Sequence, residues 1–195
     1  MARTGRPRGF EHDAVVRGAA ELFWSRGYAG TSVQDLADHL SLQRGSLYGL
    51  FGDKRGLFLR ALEVYVSGVL DVLHELEQPG PVLDNLRRTL LAVAQPPADG
   101  APRGCLLGNT AVELAGSDDD VRVAVAAAFG RTEEALRRAL GRAQAAGEIP
   151  AGDVSDAAAM LLVVMQGLQI IARVQSGPGR VEAAIDATIR GLRGA

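Results

Sequence analysis

The sequence predicts an all-α fold, and three observations support this. No run alternates β-branched or aromatic residues with polar ones between Asn-Gly or Asp-Gly turns, which is the pattern of a β-hairpin. Ala, Leu, Arg and Glu instead recur at helical spacing. Short stretches rich in Gly and Pro separate these segments. We therefore expect a series of helices joined by turns.

Length and composition are those of a folded protein. The 195 residues suffice for one domain or two small ones, and 47% are hydrophobic against 23% charged. Cys105 is the single cysteine and no secretory signal pattern opens the sequence, which favours a cytoplasmic location. The most apolar stretch, 157–165, is soon interrupted by Gln166 and Gln169, before the roughly 20 apolar residues of a membrane span. We expect no membrane helix.

The first two predicted helices carry clear start and stop signals. One runs over 11–26, is apolar on one face and ends at Gly27. A capping box opens the next helix, formed either by Thr31 and Gln34 or by Ser32 and Asp35. Both helices are amphipathic, so both should pack.

A third short helix is predicted over 44–51, with Leu47, Leu50 and Phe51 as apolar anchors. The segment 41–43 makes a tight turn before it. Two short helices around such a turn, supported by an amphipathic first helix, form the arrangement of a helix-turn-helix, whose second helix fits the DNA major groove.

The remaining helices are predicted from apolar spacing and from breaks at Gly and Pro. They cover 54–76, 82–94, 104–115, 119–146, 153–175 and 181–193. The segment 95–103, with three prolines, is the most loop-like. This predicts a DNA-binding domain over 1–53 and a second helical domain over 54–195.

The charge distribution agrees with two parts that meet different partners. Residues 1–60 carry 9 Lys and Arg against 6 Asp and Glu, whereas the remainder carries 12 against 17. Double-stranded DNA is the expected partner of the basic part. The candidate DNA-binding residues are Thr31, Ser32, Gln43, Arg44, Gly45, Ser46, Tyr48 and Lys54.

Each type of candidate has a stated role. Arg44 can pair with a guanine edge or neutralise a phosphate, and Tyr48 can donate to a phosphate. Gly45 allows the backbone to approach the DNA closely. Lys54, near a helix N-terminus, suits a phosphate. For Tyr48 the alternative is an ordinary core position. The basic segment 2–9 either follows the DNA into a minor groove or is a solubilising tail.

Two segments, 23–33 (FWSRGYAGTSV) and 44–54 (RGSLYGLFGDK), resemble the TetR family of transcriptional regulators. The resemblance implies a three-helix DNA-binding domain, joined by a fourth helix to a helical domain with a ligand pocket and a dimer interface. Two positions depart from the family pattern. Ser41 stands where the family usually has a turn glycine, and Gln43 where a capping Ser or Thr is common.

The C-terminal half suggests a dimer interface. The helix 153–175 is apolar over most of its circumference, and 181–193 adds a second apolar face. The pair either forms half of a four-helix interface in a homodimer or packs in a monomeric core. A homodimer would place two recognition helices on a pseudo-palindromic operator, in major grooves about 34–36 Å apart.

The segment 103–114 (RGCLLGNTAVEL) resembles a TetR subgroup in which some members respond to electrophiles or oxidants through the corresponding cysteine. A helix start and nearby Arg103 would favour the Cys105 thiolate. The alternative is that Cys105 is a packed small residue. Candidate contacts to a small-molecule effector, which the sequence does not identify, are Cys105, Asn109, Tyr65 and Phe129, with His74 as a weaker candidate.

Other classes of protein are less consistent with the sequence. Its three histidines are scattered, with no metal-binding HExxH or paired Cys-x-x-Cys pattern, so we expect no metal, no cofactor and no enzymatic activity. The run 118–120 (DDD) fits a helix cap better than a cation site. A helical adaptor without DNA binding is the third class, and it predicts no affinity for duplex DNA. We expect a ligand-responsive regulator, most often a repressor in this family.

Overall fold

The fold is a bundle of helices, as predicted. The computed structural model describes residues 8–95, 100–174 and 179–194, and this part of the chain contains no strand. The helices are α1 (Arg8–Arg26), α2 (Val33–His39), α3 (Arg44–Phe51), α4 (Lys54–Leu73), α5 (Val82–Ala94), α6 (Leu106–Leu114), α7 (Asp119–Ala145), α8 (Ser155–Arg173) and α9 (Arg180–Leu192).

The N-terminal helices share a core with the rest of the chain. Phe23 of α1, Leu36 of α2, Leu47 of α3 and Phe58 of α4 are buried together. The same cluster contains residues of α6 and α7, such as Leu106. The division between residues 53 and 54 therefore stays a prediction.

Helix α4 joins the two parts of the molecule. It contacts α1 and α3 on one side and α5, α6 and α7 on the other. Its Leu57 and Phe58 belong to the N-terminal core, whereas Leu73 lies in a second core with α5, α7, α8 and α9. A movement of α4 would therefore change the packing in both cores.

Several helix ends, including the start of α1, the end of α4 and the start of α6, differ from prediction by one to three residues. Helix α1 begins at Arg8, so the last two residues of the segment 2–9 are helical, and the rest of that segment lies outside the described residues. Helix α4 stops at Leu73 and a 3-10 turn follows over His74–Glu77. Helix α6 begins at Leu106 rather than 104, because Gly104 has a φ of +69° and Cys105 is extended as the N-cap.

Helix α8 is long and apolar enough to cross a membrane by length and composition alone, with a mean hydropathy of 1.6. It instead packs against α5, α7 and α9. Leu161, Met165 and Leu168 form its buried side. The opposite side leaves apolar residues exposed: Met160, Val163, Ile170, Ile171 and Val174.

Candidate nucleic-acid interface and ligand cavity

The start of α2 is fixed by a capping box. The Ser32 Oγ accepts from the backbone N–H of Asp35 at 3.0 Å, and the Asp35 carboxylate accepts from the Ser32 N–H at 2.8 Å. Of the two predicted boxes, this is the one that forms. The hydrogen bonds from Ser32 lower the pKa of Asp35. The Asp35 carboxylate is therefore charged at neutral pH and keeps the first turn of α2 in place.

The turn between α2 and α3 depends on Ser41. Its φ of +53° makes it the one non-glycine residue with positive φ among those described. An L-residue adopts this conformation at a cost, which explains why the related family usually places glycine here. The Leu42 N–H donates to the Ala37 carbonyl at 2.9 Å and closes the turn. Gln43 is the N-cap of α3 without a side-chain capping bond.

Helix α3 presents one side to solvent. Leu47 is buried and anchors the opposite side, while Arg44, Ser46 and Tyr48 are exposed. Tyr48 is 49% exposed, so its core interpretation is wrong. A Cβ added at Gly45 or Gly49 would meet no atom within 4 Å. The exposed side is therefore a surface that a DNA groove could approach closely.

Leu50 is the residue of this surface that the sequence analysis missed. It was predicted as an anchor, but it is 52% exposed. Leu50 and Phe51 lie three and four residues after the buried Leu47, so helical spacing alone allows either of them on the buried side. Phe51 takes the anchoring role, with its ring 4.8 Å from that of His12.

Arg44 is tied to the preceding helix. Its Nε donates to Gln34 Oε1 at 2.5 Å while the residue remains exposed. Ser32 and Gln43 are also exposed, at the N-termini of α2 and α3. A guanidinium that is restrained in this way loses less conformational freedom when it binds.

Thr31 and Lys54 have supporting positions. Thr31 is fully buried and its hydroxyl donates to the Gly27 carbonyl at 2.7 Å, so the predicted contact of its side chain with DNA is wrong for this conformation. The Lys54 ammonium donates to the carbonyls of Tyr28 and Thr31, both at 2.9 Å, and lies 4.0 Å from the Tyr28 ring centroid. Both residues hold the α1–α2 loop against α4.

Two contacts tie the α1–α2 loop and the start of α4 to the C-terminal helices. Glu113 of α6 accepts from the N–H groups of Tyr28 and Ala29, at 3.0 and 2.6 Å. Arg55 of α4 donates to both carboxylate oxygens of Asp118, at 2.8 and 2.9 Å, and to Asp120 at 2.7 Å. Asp118 is also the N-cap of α7, which confirms the capping interpretation of the acidic run.

A cavity of about 550 Å³ lies between α1, α4, α5, α8 and the segment 102–104. Tyr65 lines it, as a predicted effector contact should. Cys105, Asn109, Phe129 and His74 do not line it. Phe129 packs against the N-terminal core, and His74 is exposed beside Glu77.

Most of the cavity lining was not predicted from the sequence. Trp24 of α1 lines it, and its ring lies 5.2 Å from that of Tyr65, edge to face. The indole N–H donates to the Gly104 carbonyl at 2.9 Å. Arg173 of α8 and Arg103 also line the cavity. No sequence signal links these residues, because they come from separate elements and meet only in the folded chain.

Cys105 lies directly behind the cavity wall. It is 6% exposed and its Sγ accepts from the Gly108 N–H at 3.4 Å, as the N-cap of α6. Burial raises the pKa of the neighbouring Tyr65 hydroxyl, and the Cys105 side chain acts in the same direction. Asn109 bridges Arg103 and Arg173: its Nδ2 donates to the Arg103 carbonyl at 2.9 Å and its Oδ1 accepts from Arg173 Nη1 at 3.3 Å.

Among the described residues, no group of three or more His, Cys, Asp or Glu side chains is arranged so that it could hold a metal ion. The exposed α3, the tight turn and the attached helical domain with its cavity define a helix-turn-helix DNA-binding regulator.

Comparison with known proteins identifies the family. Residues 15–61 match the family model described as bacterial regulatory proteins of the tetR family, and residues 78–188 match that of the tetracyclin repressor-like C-terminal domain. The chain belongs to the TetR family of transcriptional regulators.

Its relatives span most of its length. It is 32% identical over 190 residues to the uncharacterized HTH-type transcriptional regulator YezE of Bacillus subtilis, covering 95% of this chain and 97% of the relative. It is 32% identical to the HTH-type transcriptional repressor ComR of Escherichia coli, covering 87% and 82%.

The fold is that of solved TetR structures. A cysteine mutant of the regulator CifR, complexed with a 26-bp double-strand operator DNA, superposes with a TM-score of 0.82 at 28% identity, covering 96% of this chain and 100% of that one. A TetR-family regulator from Cytophaga hutchinsonii gives 0.81 at 23% identity, covering 98% of each chain, which shows the fold alone.

Proposed function

We propose that this TetR-family regulator is a homodimeric repressor that binds a pseudo-palindromic operator through α3 and leaves it when an effector binds. One observation carries the proposal: Leu47 is buried and Phe51 packs beside it, while the side of α3 that carries Arg44, Ser46 and Tyr48 is exposed. The relative ComR is named a repressor, and CifR has been solved on operator DNA. Such a protein acts in the cytoplasm, where the DNA is.

The proposed contacts follow from exposure and chemistry. Arg44 reaches a guanine edge or a phosphate, and Tyr48 donates its hydroxyl to a phosphate. Ser32, Gln43 and Ser46 add polar contacts along the same surface. Gly45 keeps the distance between backbone and DNA short. Thr31 and Lys54 position the surface from behind, and the third ammonium proton of Lys54 is available to a phosphate.

The proposed dimer interface is the exposed side of α8, together with α9. Its apolar residues recur at positions 160, 163, 170 and 174, which is helical spacing. Val163 is 71% exposed, an unfavourable position for an isolated monomer in water. A second copy of α8 and α9 would cover this stripe and form a four-helix interface.

The proposed effector site is the cavity beside Trp24 and Tyr65. Both α1 and α4 line it, and both contact the DNA-binding helices. An effector that binds one arrangement of these helices more tightly than the other shifts the population and so changes operator affinity. The thiol-reactive alternative uses Cys105, which lies behind the same wall.

Substitution of Arg44 tests the function. The duplex is the DNA upstream of the protein's own gene, and the readout is fluorescence anisotropy over a range of salt concentrations. Arg44→Ala should weaken binding by about 1–3 kcal/mol, which is roughly 5-fold to 150-fold in the dissociation constant. Arg131→Ala, an exposed arginine of α7, is the matched control and should bind like the wild type.

Three outcomes are distinguishable. Loss of affinity in Arg44→Ala alone supports α3 as the reading helix. If both variants bind the duplex with the affinity of the wild type, DNA binding is assigned to another surface. Failure of the wild type to bind any duplex, even at low salt, favours the adaptor class over the regulator.

A further inference from the structure

We propose that the effector of this cavity is an amphipathic anion, a carboxylate on an apolar or aromatic body. The inference rests on the proposed function, because it assigns the ligand class of the proposed effector site. The described lining contains three guanidinium groups, those of Arg17, Arg103 and Arg173, and one carboxylate, that of Glu21. The remaining wall is largely apolar, with valines from α4 and α5.

Arg173 is the anchor that the geometry favours for the anion. It lies in the last turn of α8, and its Nη1 donates to the neutral amide oxygen of Asn109 at 3.3 Å. Among the described residues no carboxylate lies within ion-pair distance of it. A Cβ added at Gly104 would lie 3.6 Å from Arg173 Cδ, so the aliphatic stem of the arginine runs along the backbone of the cavity wall.

Asn109 holds this corner together. Its Nδ2 donates to the Arg103 carbonyl while its Oδ1 accepts from Arg173, so one amide fixes both the 103–104 backbone and the guanidinium. The guanidinium is thereby oriented without being neutralised. An oriented cation at the edge of an apolar cavity binds a carboxylate through charge-assisted hydrogen bonds, which are stronger than neutral ones.

The apolar body of the ligand would lie against Trp24, Tyr65 and the valines. A volume of about 550 Å³ is within the range of pockets for drug-sized molecules. Trp24 and Tyr65 stand edge to face at 5.2 Å, which gives a rigid aromatic wall. An aromatic or branched apolar group fits such a wall.

A cationic ligand fits less well, although aromatic walls can bind cations. The Arg103 guanidinium already lies over the Trp24 ring, with its carbon 5.6 Å from the ring centroid. The face that would attract a ligand cation is therefore occupied by a cation of the protein. Among the described lining residues, a ligand ammonium would also meet the guanidinium groups of Arg17 and Arg173 against the single carboxylate of Glu21.

Phenylbutyrate and two analogues of the same shape test the ligand class: its uncharged amide and the corresponding phenylalkylamine. Their phenyl ring does not absorb where tryptophan is excited, and Trp24 is the only tryptophan in the chain, so quenching of its fluorescence reports binding at this cavity. Isothermal titration calorimetry on the full chain gives the dissociation constants. The dissociation constant of the carboxylate should be at least about tenfold lower than that of the amide, and the amine should bind most weakly.

Variants of Arg173 identify the anchor. Arg173→Gln should reduce the preference for the carboxylate over the amide to about twofold or less, since amide binding depends on the apolar wall alone. Arg173→Lys keeps the charge and should retain most of the preference. Arg131→Gln, away from the cavity, should behave as the wild type, and thermal unfolding checks that each variant is folded.

Equal binding of carboxylate and amide, tighter binding of the amine, or absence of binding by all three would overturn the inference. An undiminished preference in folded Arg173→Gln would overturn the assignment of the anchor. Operator binding without ligand is measured on the same preparation. A chain that binds its operator but shows no anion preference refutes this inference alone, whereas a chain that binds no duplex refutes the proposed function.

Discussion

Cys105 is the single thiol of the chain and caps α6, directly after the segment 102–104 that lines the ligand cavity. Its neighbour Gly104 lines the cavity, and Tyr65 contacts both the Trp24 ring and the Cys105 side chain. Addition of a bulky group to Sγ would require a shift of the 103–105 backbone, because interiors are packed without spare volume. Such a shift would reach Asn109 and α6.

Removal of the thiol tests whether it is a sensor. N-ethylmaleimide should release the wild type from its operator, and Cys105→Ser should remain bound after the same treatment, with unchanged affinity before it. The readout is anisotropy of the labelled duplex. Since no other cysteine exists, a release that persists in Cys105→Ser would end the thiol hypothesis and leave Cys105 as a packed residue.

Individual residues also show what the sequence could not reveal. Ser41 was recognised as the turn position from the family pattern, and its positive φ explains the family's preference for glycine. The exposure of Leu50 and the burial of Thr31 were not foreseen, because both depend on which face of a short helix or loop meets α4. Local spacing leaves that choice open when the helix has only two turns.

At the scale of elements, α4 is the connection between the cores and Arg55 fixes its first turn. The bidentate contact with Asp118 ties α4 to the N-terminus of α7. The hydrogen bonds from Arg55 hold the pKa of Asp118 below its ordinary value. A carboxyl group whose pKa is lowered by folding stabilises the folded protein at pH values above its pKa in the unfolded chain, which is about 4. This stabilisation is lost as pH falls through the pKa of the folded state.

The predicted consequence is a stability difference that depends on pH. Asp118→Asn keeps an N-cap side chain but loses the charge, so it should unfold at lower urea concentration than the wild type near neutral pH. The difference in midpoint urea concentration between Asp118→Asn and the wild type should decrease as pH is lowered below about 4. Asp119→Asn, in the same helical turn, is the control for loss of a carboxylate. A gap independent of pH would show that Arg55 does not stabilise the charged form.

Elements with strong local signals were predicted closely. Helices α3 and α5 have their predicted bounds, because Asp53 and the 79–81 segment give clear breaks. The end of α4 and the start of α6 were misplaced, since a 3-10 turn and an extended cap continue a helical pattern in sequence. The cavity could not be predicted, because Trp24, Tyr65 and Arg173 lie on three helices distant in sequence.

At the scale of the whole molecule, the proposed pseudo-palindromic operator requires two copies of α3. One recognition helix contacts only one half-site. A dimer contacts two half-sites with the same residues and fixes the distance between the two recognition helices. Val163 and Val174, 71% and 72% exposed, are the most exposed apolar residues of the α8 stripe.

Val163→Arg should therefore give folded monomers, because the change adds a charge at a position outside the monomer core. Sedimentation should show half the wild-type mass, and operator affinity should fall by orders of magnitude. A folded variant that remains dimeric would place the interface elsewhere on the molecule.

Hydroxyl-radical footprinting of the wild type on the DNA upstream of its own gene tests the central claim most directly. Paired insertion of α3 predicts two symmetric protected segments on an inverted repeat, in major grooves about 34–36 Å apart. Arg44→Ala should lose the protection of both segments. Protection confined to one segment, or protection that Arg44→Ala leaves intact, would contradict a paired insertion of α3.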